Sequence, residues 1–186
     1  ALSIPAGGTA YTGNTGFALN KPPTSDFSIS LWFKTSNIIS NLSIISNIGR
    51  WQVGTPYPYG AWRLGTRNSD QLIFDYYAGT TDRKNMLGHF LYSNRWNQVV
   101  IVCSSYSPFL IYVNAVKLNS SYPNSTACNF YNTEKIFLSS LTDAYPTAYP
   151  YNVDNVRIYS KALPLSMIEK IYAFESKKFQ TLAKGK

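Results

Sequence analysis

The stretch "NVDNVRIYSKALPLSMIEKIY", from Asn152 to Tyr172, changes rhythm halfway along. Its first part, "NVDNVRIYS", is a short strand candidate. In "ALPLSMIEKIYAFE" the apolar residues Leu165, Ile168, Ile171 and Tyr172 fall at spacings of three and four, the stripe of an amphipathic helix. Pro164 suits the first turn of such a helix, and Ser166 with Glu169 has the spacing of a capping box. A last strand followed by one short helix is therefore expected. The remaining "SKKFQTLAKGK" reads as a frayed, solvated tail.

Upstream, period-two alternation recurs. In "DFSISLWFKT" the residues Phe27, Ile29, Leu31 and Phe33 face one way, with Ser28, Ser30, Trp32 and Lys34 facing the other. "LSIISNIG", "QLIFDYYAG", "RWNQVVIVCSS", "FLIYVNAVKL" and "EKIFLSSL" are further strand candidates, separated by Gly, Pro, Asn and Ser clusters. A Ser-Tyr-Ser-Pro turn predicts a hairpin between strands near 98–104 and 109–114. Many short strands and almost no helical periodicity predict an all-β sandwich or jelly roll.

The 186 residues suit one large β domain, with residues 1–175 as the sandwich and 176–186 as a basic C-terminal tail. The longest apolar runs resemble "VVIVC", far short of the roughly 20 residues of a membrane span. The chain opens at Ala1 without a hydrophobic leader, as a mature or excised domain would. Charged residues are only 14% and aromatics 16%, with 15 tyrosines, a surface chemistry suited to an extracellular, cell-surface or virion-surface protein. The net charge of +8 does not predict nucleic-acid binding. Lys170, Lys177, Lys178, Lys184 and Lys186 lie in the helix and tail, and the rest are scattered without a block.

Two cysteines, Cys103 and Cys128, allow either one disulfide or two buried thiols. Asn41, Asn119 and Asn124 fit the glycosylation acceptor pattern.

Three segments carry a resemblance to a known family. "FSISLWFKTS" is similar to the early strand of laminin-G-like and pentraxin-like domains in the concanavalin A-like lectin/glucanase superfamily. "RWNQVVIVCSSYSPFLIYVNAVKL" resembles that family's W-x-x-V-A-x-V strand, turn and Y-V-N-G strand, with Ala115 where Gly is usual. "NVDNVRIYSKALPLSMIEKIY" resembles its closing I-D-E-V-R-I-Y-x-R-A-L-S-x-x-E-I-x-x-L-Y, with Pro164 at the usual capping Ser and Met167 at the usual Glu. The resemblance implies an all-β jelly-roll sandwich of two antiparallel sheets, Trp32 and Trp96 in its core, and binding of glycans or proteins, often with calcium.

Site chemistry must be argued residue by residue. A glycosidase needs two carboxylates flanking the scissile bond, and the superfamily's glucanases carry theirs two or four residues apart on one strand. No two of the nine acidic residues here are closer than five, so no enzyme is expected. The one histidine, His89, lies among apolar residues and reads as structural, and zinc is short of ligands. No cofactor is certain; a calcium ion would find its best loop carboxylates in Asp143 and Asp82.

The aromatics remain. "GRWQVGTPYPYGAWRLG" and "DAYPTAYPYN" pair tyrosine with proline, which lowers the entropy lost on fixing a loop. Tyr and Trp offer flat apolar faces on which pyranose rings stack. Tyr57, Tyr59, Trp62, Tyr145, Tyr149 and Tyr151 are the expected glycan-binding residues. The expected function is a non-catalytic glycan-binding or adhesion module whose partner is a carbohydrate or cell-surface glycoprotein. The alternative is a structural or protein-docking subunit that uses the same loops against another chain.

Overall fold

The computed structural model describes residues 2–4, 10–11, 26–36, 43–46, 62–67, 71–77, 83–88, 93–104, 109–118, 136–138 and 151–184. They form strands β1 (Leu2–Ile4), β2 (Ala10–Tyr11), β3 (Phe27–Thr35), β4 (Ser43–Ser46), β5 (Trp62–Arg67), β6 (Gln71–Tyr77) and β7 (Arg83–Gly88). Then follow β8 (Asn97–Cys103), β9 (Leu110–Val113), β10 (Val116–Lys117), β11 (Phe137–Leu138), β12 (Tyr151–Tyr159) and the helix α1 (Leu165–Lys184). Two six-stranded antiparallel sheets result. Sheet A has the order β1-β12-β3-β8-β9-β10 and sheet B the order β2-β11-β4-β5-β6-β7. This is the jelly-roll sandwich that the resemblance implies, with the β8–β9 hairpin that the Ser-Tyr-Ser-Pro turn predicts.

β3 lies near the middle of sheet A and is buried on both faces. Phe27, Ile29, Leu31 and Phe33 enter the core between the sheets, where Val99, Ile101, Ile111, Val113 and Val153 join them from sheet A. Ile44, Ile45, Trp62, Leu64, Leu72 and Phe74 close that core from sheet B. Each large side chain taken fully from water here is worth about 1.5–3 kcal/mol, so this layer holds the domain together. The opposite face of β3 carries Ser28, Ser30 and Trp32, which are buried as well. α1 covers them.

That cover depends on a bulge in β12. Asp154 pairs with Trp32 and Arg157 with Ser30, so two residues, Asn155 and Val156, oppose the single Leu31. Asn155 adopts φ 51°, and its N–H donates to Asp154 Oδ1 at 2.7 Å. Asn enters the left-handed region at lower cost than most residues, and the Asp154 carboxylate secures the backbone there. The extra residue reverses the alternation. Tyr151 and Val153 point into the inter-sheet core before it, whereas Tyr159 packs beneath the helix after it and Arg157 bonds a helix carboxylate.

The helix differs from expectation in three respects. It starts with Pro164 as its cap: the Pro164 carbonyl accepts from Met167 and Ile168 N–H at 3.0 and 3.2 Å, so Ser166 lies inside the first turn. Leu165 is 45% exposed, and the buried face runs instead through Ile168, Glu175 and Phe179 with Ile171 and Tyr172 half-buried beside them. The helix also continues to Lys184, so the segment from 176 begins as structure rather than as a solvated tail. Phe179 is the reason. It extends the stripe by one further turn and is 3% exposed, with its ring 4.4 Å from Trp32 and 4.7 Å from Trp96. Trp32 and Trp96 thus pack in the layer between sheet A and the helix, not between the sheets.

Ser28 fastens the chain just ahead of that helix. Its hydroxyl donates to the Lys161 carbonyl and accepts from Leu163 N–H, both at 2.9 Å. Leu163 and Ile168 then close over Val100, Val102 and Tyr112.

Candidate functional site

The strand register decides where the Tyr-rich segments are anchored. Ser46 pairs with Arg63, so residues 47–61, which contain Tyr57 and Tyr59, are bracketed at one end of sheet B. Tyr77 pairs with Arg83 at that same end and brackets residues 78–82, which contain Asp82. An aromatic chain marks this end: Trp62 stacks on Phe74 at 6.1 Å, Phe74 meets Phe109 at 4.9 Å, and Phe109 meets Phe27 at 6.5 Å. Residues 139–150, containing Asp143, Tyr145 and Tyr149, run from Leu138 to Tyr151. Tyr151 pairs with Thr35 at the opposite end of β3 from Phe27. The strand ends that bracket the two Tyr-rich segments therefore lie at opposite ends of the sandwich.

Tyr57, Tyr59, Asp82, His89, Cys128, Asp143, Tyr145, Tyr149 and the three glycosylation acceptors lie outside the described residues. Two of the expected glycan contacts, however, fall inside them and are corrected. Trp62 is 0% exposed; it begins β5 and turns inward, because alternation places Arg63 on the other face. Tyr151 is 1% exposed, and its hydroxyl donates to the Ile44 carbonyl at 2.9 Å, tying the start of β12 to sheet B. Neither side chain faces a ligand. Each is instead the buried post on which a Tyr-rich segment ends. Cys103 falls inside them as well. It is a free thiol, 3% exposed and turned into the inter-sheet core from β8, the thiol state that the sequence left open beside a disulfide; Cys128 lies outside the described residues.

Three charge clusters are built into the described residues. On sheet B, Arg63 and Asp75 stand directly opposite in register, with Arg63 Nε donating to Asp75 Oδ2 at 2.9 Å and an Nη contact at 2.6 Å. Both are buried, so the pair is a cross-strand clamp rather than a surface contact. On the helix side, Glu175 is 5% exposed and accepts from Trp32 Nε1 at 2.5 Å and from Arg157. Nearby, Lys178 Nζ donates to Asp154 Oδ2 at 2.9 Å. Partial burial works to raise the Asp154 pKa, but the Lys178 bond and the Asn155 N–H outweigh it and hold the carboxyl below its ordinary value.

These carboxylates are held by cations and backbone in a structural role. Among the described residues no group of three or more His, Cys, Asp or Glu is placed to hold a metal ion. Asp154, matched by position to the family's Asp, is held by Lys178 and its own bulge. The Glu175 cluster was not read from the sequence. The signal was present in the helical spacing of Tyr172, Glu175 and Phe179 opposite the outward phase of Trp32.

The family model for laminin-G-like domains, described as the concanavalin A-like lectin/glucanases superfamily, matches residues 7–169. Comparison with curated proteins finds no match. Among solved structures, the receptor binding domain of botulinum neurotoxin D is similar with TM-score 0.66 and 17% identity, over 93% of this chain and 43% of that one. The binding domain of Paraclostridial Mosquitocidal Protein 1 gives TM-score 0.67 and 15% identity, over 91% and 42%. A third, concerned with botulinum neurotoxin type C and the dependence of its cell entry on two ganglioside molecules, gives 0.63 and 19%, over 93% and 42%. At such identities the likeness establishes the fold alone, and the chain spans about two-fifths of those proteins' length. With the sandwich, its register and the match across most of the sequence in agreement, this chain belongs to the laminin-G-like branch of the concanavalin A-like lectin/glucanase superfamily.

Proposed function

We propose that this domain is a non-catalytic recognition module that binds carbohydrate on a cell surface through Tyr-rich segments at the sandwich ends. The observation that carries the reading is the anchoring: Trp62 and Tyr151 are buried at the bases of the two segments, which leaves Tyr57, Tyr59, Tyr145 and Tyr149 as the candidate sugar contacts. A rigid base lowers the ordering cost of binding, and tyrosine supplies a stacking face with a hydroxyl. The shared fold with toxin binding domains, one of them concerned with gangliosides, supports a surface partner of this kind. The engagement of Asp75, Asp154 and Glu175 by cations supports a non-catalytic role. Because the two segments are anchored at opposite ends, each end is a separate candidate site.

A protein partner is the second reading. A similar botulinum neurotoxin DC binding domain has been solved in complex with rat synaptotagmin II, with TM-score 0.58.

A glycan array, run with calcium and again with chelator, tests the proposal. We expect saturable binding to one sugar class that is lost in either Tyr57→Ala/Tyr59→Ala or Tyr145→Ala/Tyr149→Ala but not in both. No binding across a broad array would overturn the carbohydrate reading and favour the protein partner. Loss of binding in chelator would assign a calcium ion to the loops.

A further inference from the structure

α1 spends one face on sheet A, and its opposite face carries an anomaly: Phe174 is 81% exposed in the middle of a 20-residue helix. Isolated exposed apolar residues are common, but the neighbours of this one are not random. One turn to either side stand the exposed Lys170 and Lys177, with Lys178, 53% exposed in its ion pair with Asp154, beside them and Met167 two turns before at 39% exposure. Glu175 follows Phe174 in sequence but turns to the buried face, where it meets Trp32 and Arg157. The surface around Phe174 is therefore apolar at its centre and positive at its rim.

We propose that this ridge docks the domain onto an anionic lipid surface, with the Phe174 ring below the headgroups and the lysines at the level of the phosphates. Charge complementarity selects that occupant. A second copy of the same face would set lysines against lysines. A protein groove recognises a helix through several anchors at three- and four-residue spacing. Here Ile171 is already packed against the sheet, and among the described large apolar side chains of α1 Phe174 alone is more than half exposed. A single aromatic on a convex ridge, flanked by long cationic side chains, matches a planar interface. No helix among the described residues is long and apolar enough to cross a membrane, so the contact is peripheral.

Sedimentation with vesicles free of glycolipid tests this. Phosphatidylcholine vesicles would be compared with vesicles containing roughly a third phosphatidylserine, at low and at physiological salt. We expect binding to the anionic vesicles alone, weakened by salt. Phe174→Ser should reduce it about tenfold or more, and Lys170→Gln and Lys177→Gln about fivefold each, with the unfolding midpoint unchanged. Tyr57→Ala/Tyr59→Ala should leave it intact, which separates this proposal from the carbohydrate reading. Absence of binding, equal binding to neutral vesicles, or indifference to Phe174→Ser would overturn it. So would a wild-type dimer that Phe174→Ser dissociates on a sizing column, which would assign the ridge to a second copy.

Discussion

The indole N–H of Trp32 on β3 donates to Glu175 on α1 at 2.5 Å, across 143 residues of sequence. The same carboxylate accepts from Arg157, so one helix side chain gathers two neighbouring strands of sheet A. Removing it would leave a buried indole N–H unpaired and an arginine without its counter-charge. Glu175→Ala is expected to cost about 3 kcal/mol, toward the low end for a buried pair because Arg157 keeps partial contact with water. Glu175→Gln, which can still accept from Trp32, should cost about half of that. Urea unfolding followed by circular dichroism measures both, and Trp32 fluorescence should shift in the first variant more than in the second.

Phe179 provides the companion test. Its ring packs against both Trp32 and Trp96 in a position four residues beyond Glu175. Phe179→Ala should cost about 3–5 kcal/mol, as loss of a buried aromatic does. Ending the chain after Glu175 should cost a similar amount. A solvated tail would predict no change in either experiment, so an unchanged unfolding midpoint would refute the docked helix.

The fate of "SKKFQTLAKGK" illustrates what was legible in the sequence and why the rest was not. The strands with clean alternation, β3, β6, β8 and β12, could be read because one face of each is continuously apolar. β5 was hidden, since "WRLGTR" carries two arginines and a glycine, and the first of those arginines sits buried in a strand because Asp75 stands opposite it. A pairing partner twelve residues away is invisible to local periodicity. Trp62 was misassigned for the same reason: beside prolines and tyrosines it looks like a loop aromatic, and its inward phase appears only once β5 is recognised. Phe179 was lost because three polar residues separate it from Glu175 and the eye stops at the lysines. The candidate glycan residues in segments 47–61 and 139–150 follow from composition, and composition does not specify on which end of a sandwich a loop is carried.

The Arg63–Asp75 clamp invites a double substitution. Either substitution alone, as Arg63→Met or Asp75→Leu, takes from a buried charge its opposite across the strands and should cost about 3–5 kcal/mol. Both together replace the pair by apolar side chains of similar reach, and the combined loss should be far smaller than the sum. Additive losses in chemical denaturation would mean that the two residues stabilise the sheet independently.

Acid should reveal the Asp154–Lys178 contact. The folded-state pKa of Asp154 lies below its ordinary value, so the ionised form binds better in the native state than in the unfolded one. Its contribution is fully present above the ordinary aspartate pKa and is lost as pH falls through the lower folded value. Because Lys178 is 53% exposed, the effect should stay below about 1 kcal/mol and shrink in salt. Comparing wild type with Lys178→Ala from neutral pH to below pH 4 should show two stability curves converging on the acid side. A constant separation across that range would assign the effect of Lys178 to its contact with the Phe179 ring, 5.1 Å away, instead.

The turn between β9 and β10 holds a correctable strain. Asn114 and Ala115 occupy its two central positions with φ of 51° and 64°, as a two-residue turn of the primed type requires. Asn114 is secured there, since its side-chain oxygen accepts from Gln98 N–H at 2.9 Å and its own N–H donates to the Gln98 carbonyl at 2.9 Å. Ala115 has only its Cβ, which crowds the following carbonyl in the left-handed region at a cost of roughly 1–2 kcal/mol. Glycine would relieve the crowding but also loosen the unfolded chain, which returns part of the gain. Ala115→Gly is therefore expected to stabilise the domain by about 0.5–1 kcal/mol. The change should appear as a higher denaturation midpoint at constant denaturant dependence. A fall in stability would mean that the methyl group's packing beside the helix-side cluster outweighs its backbone strain.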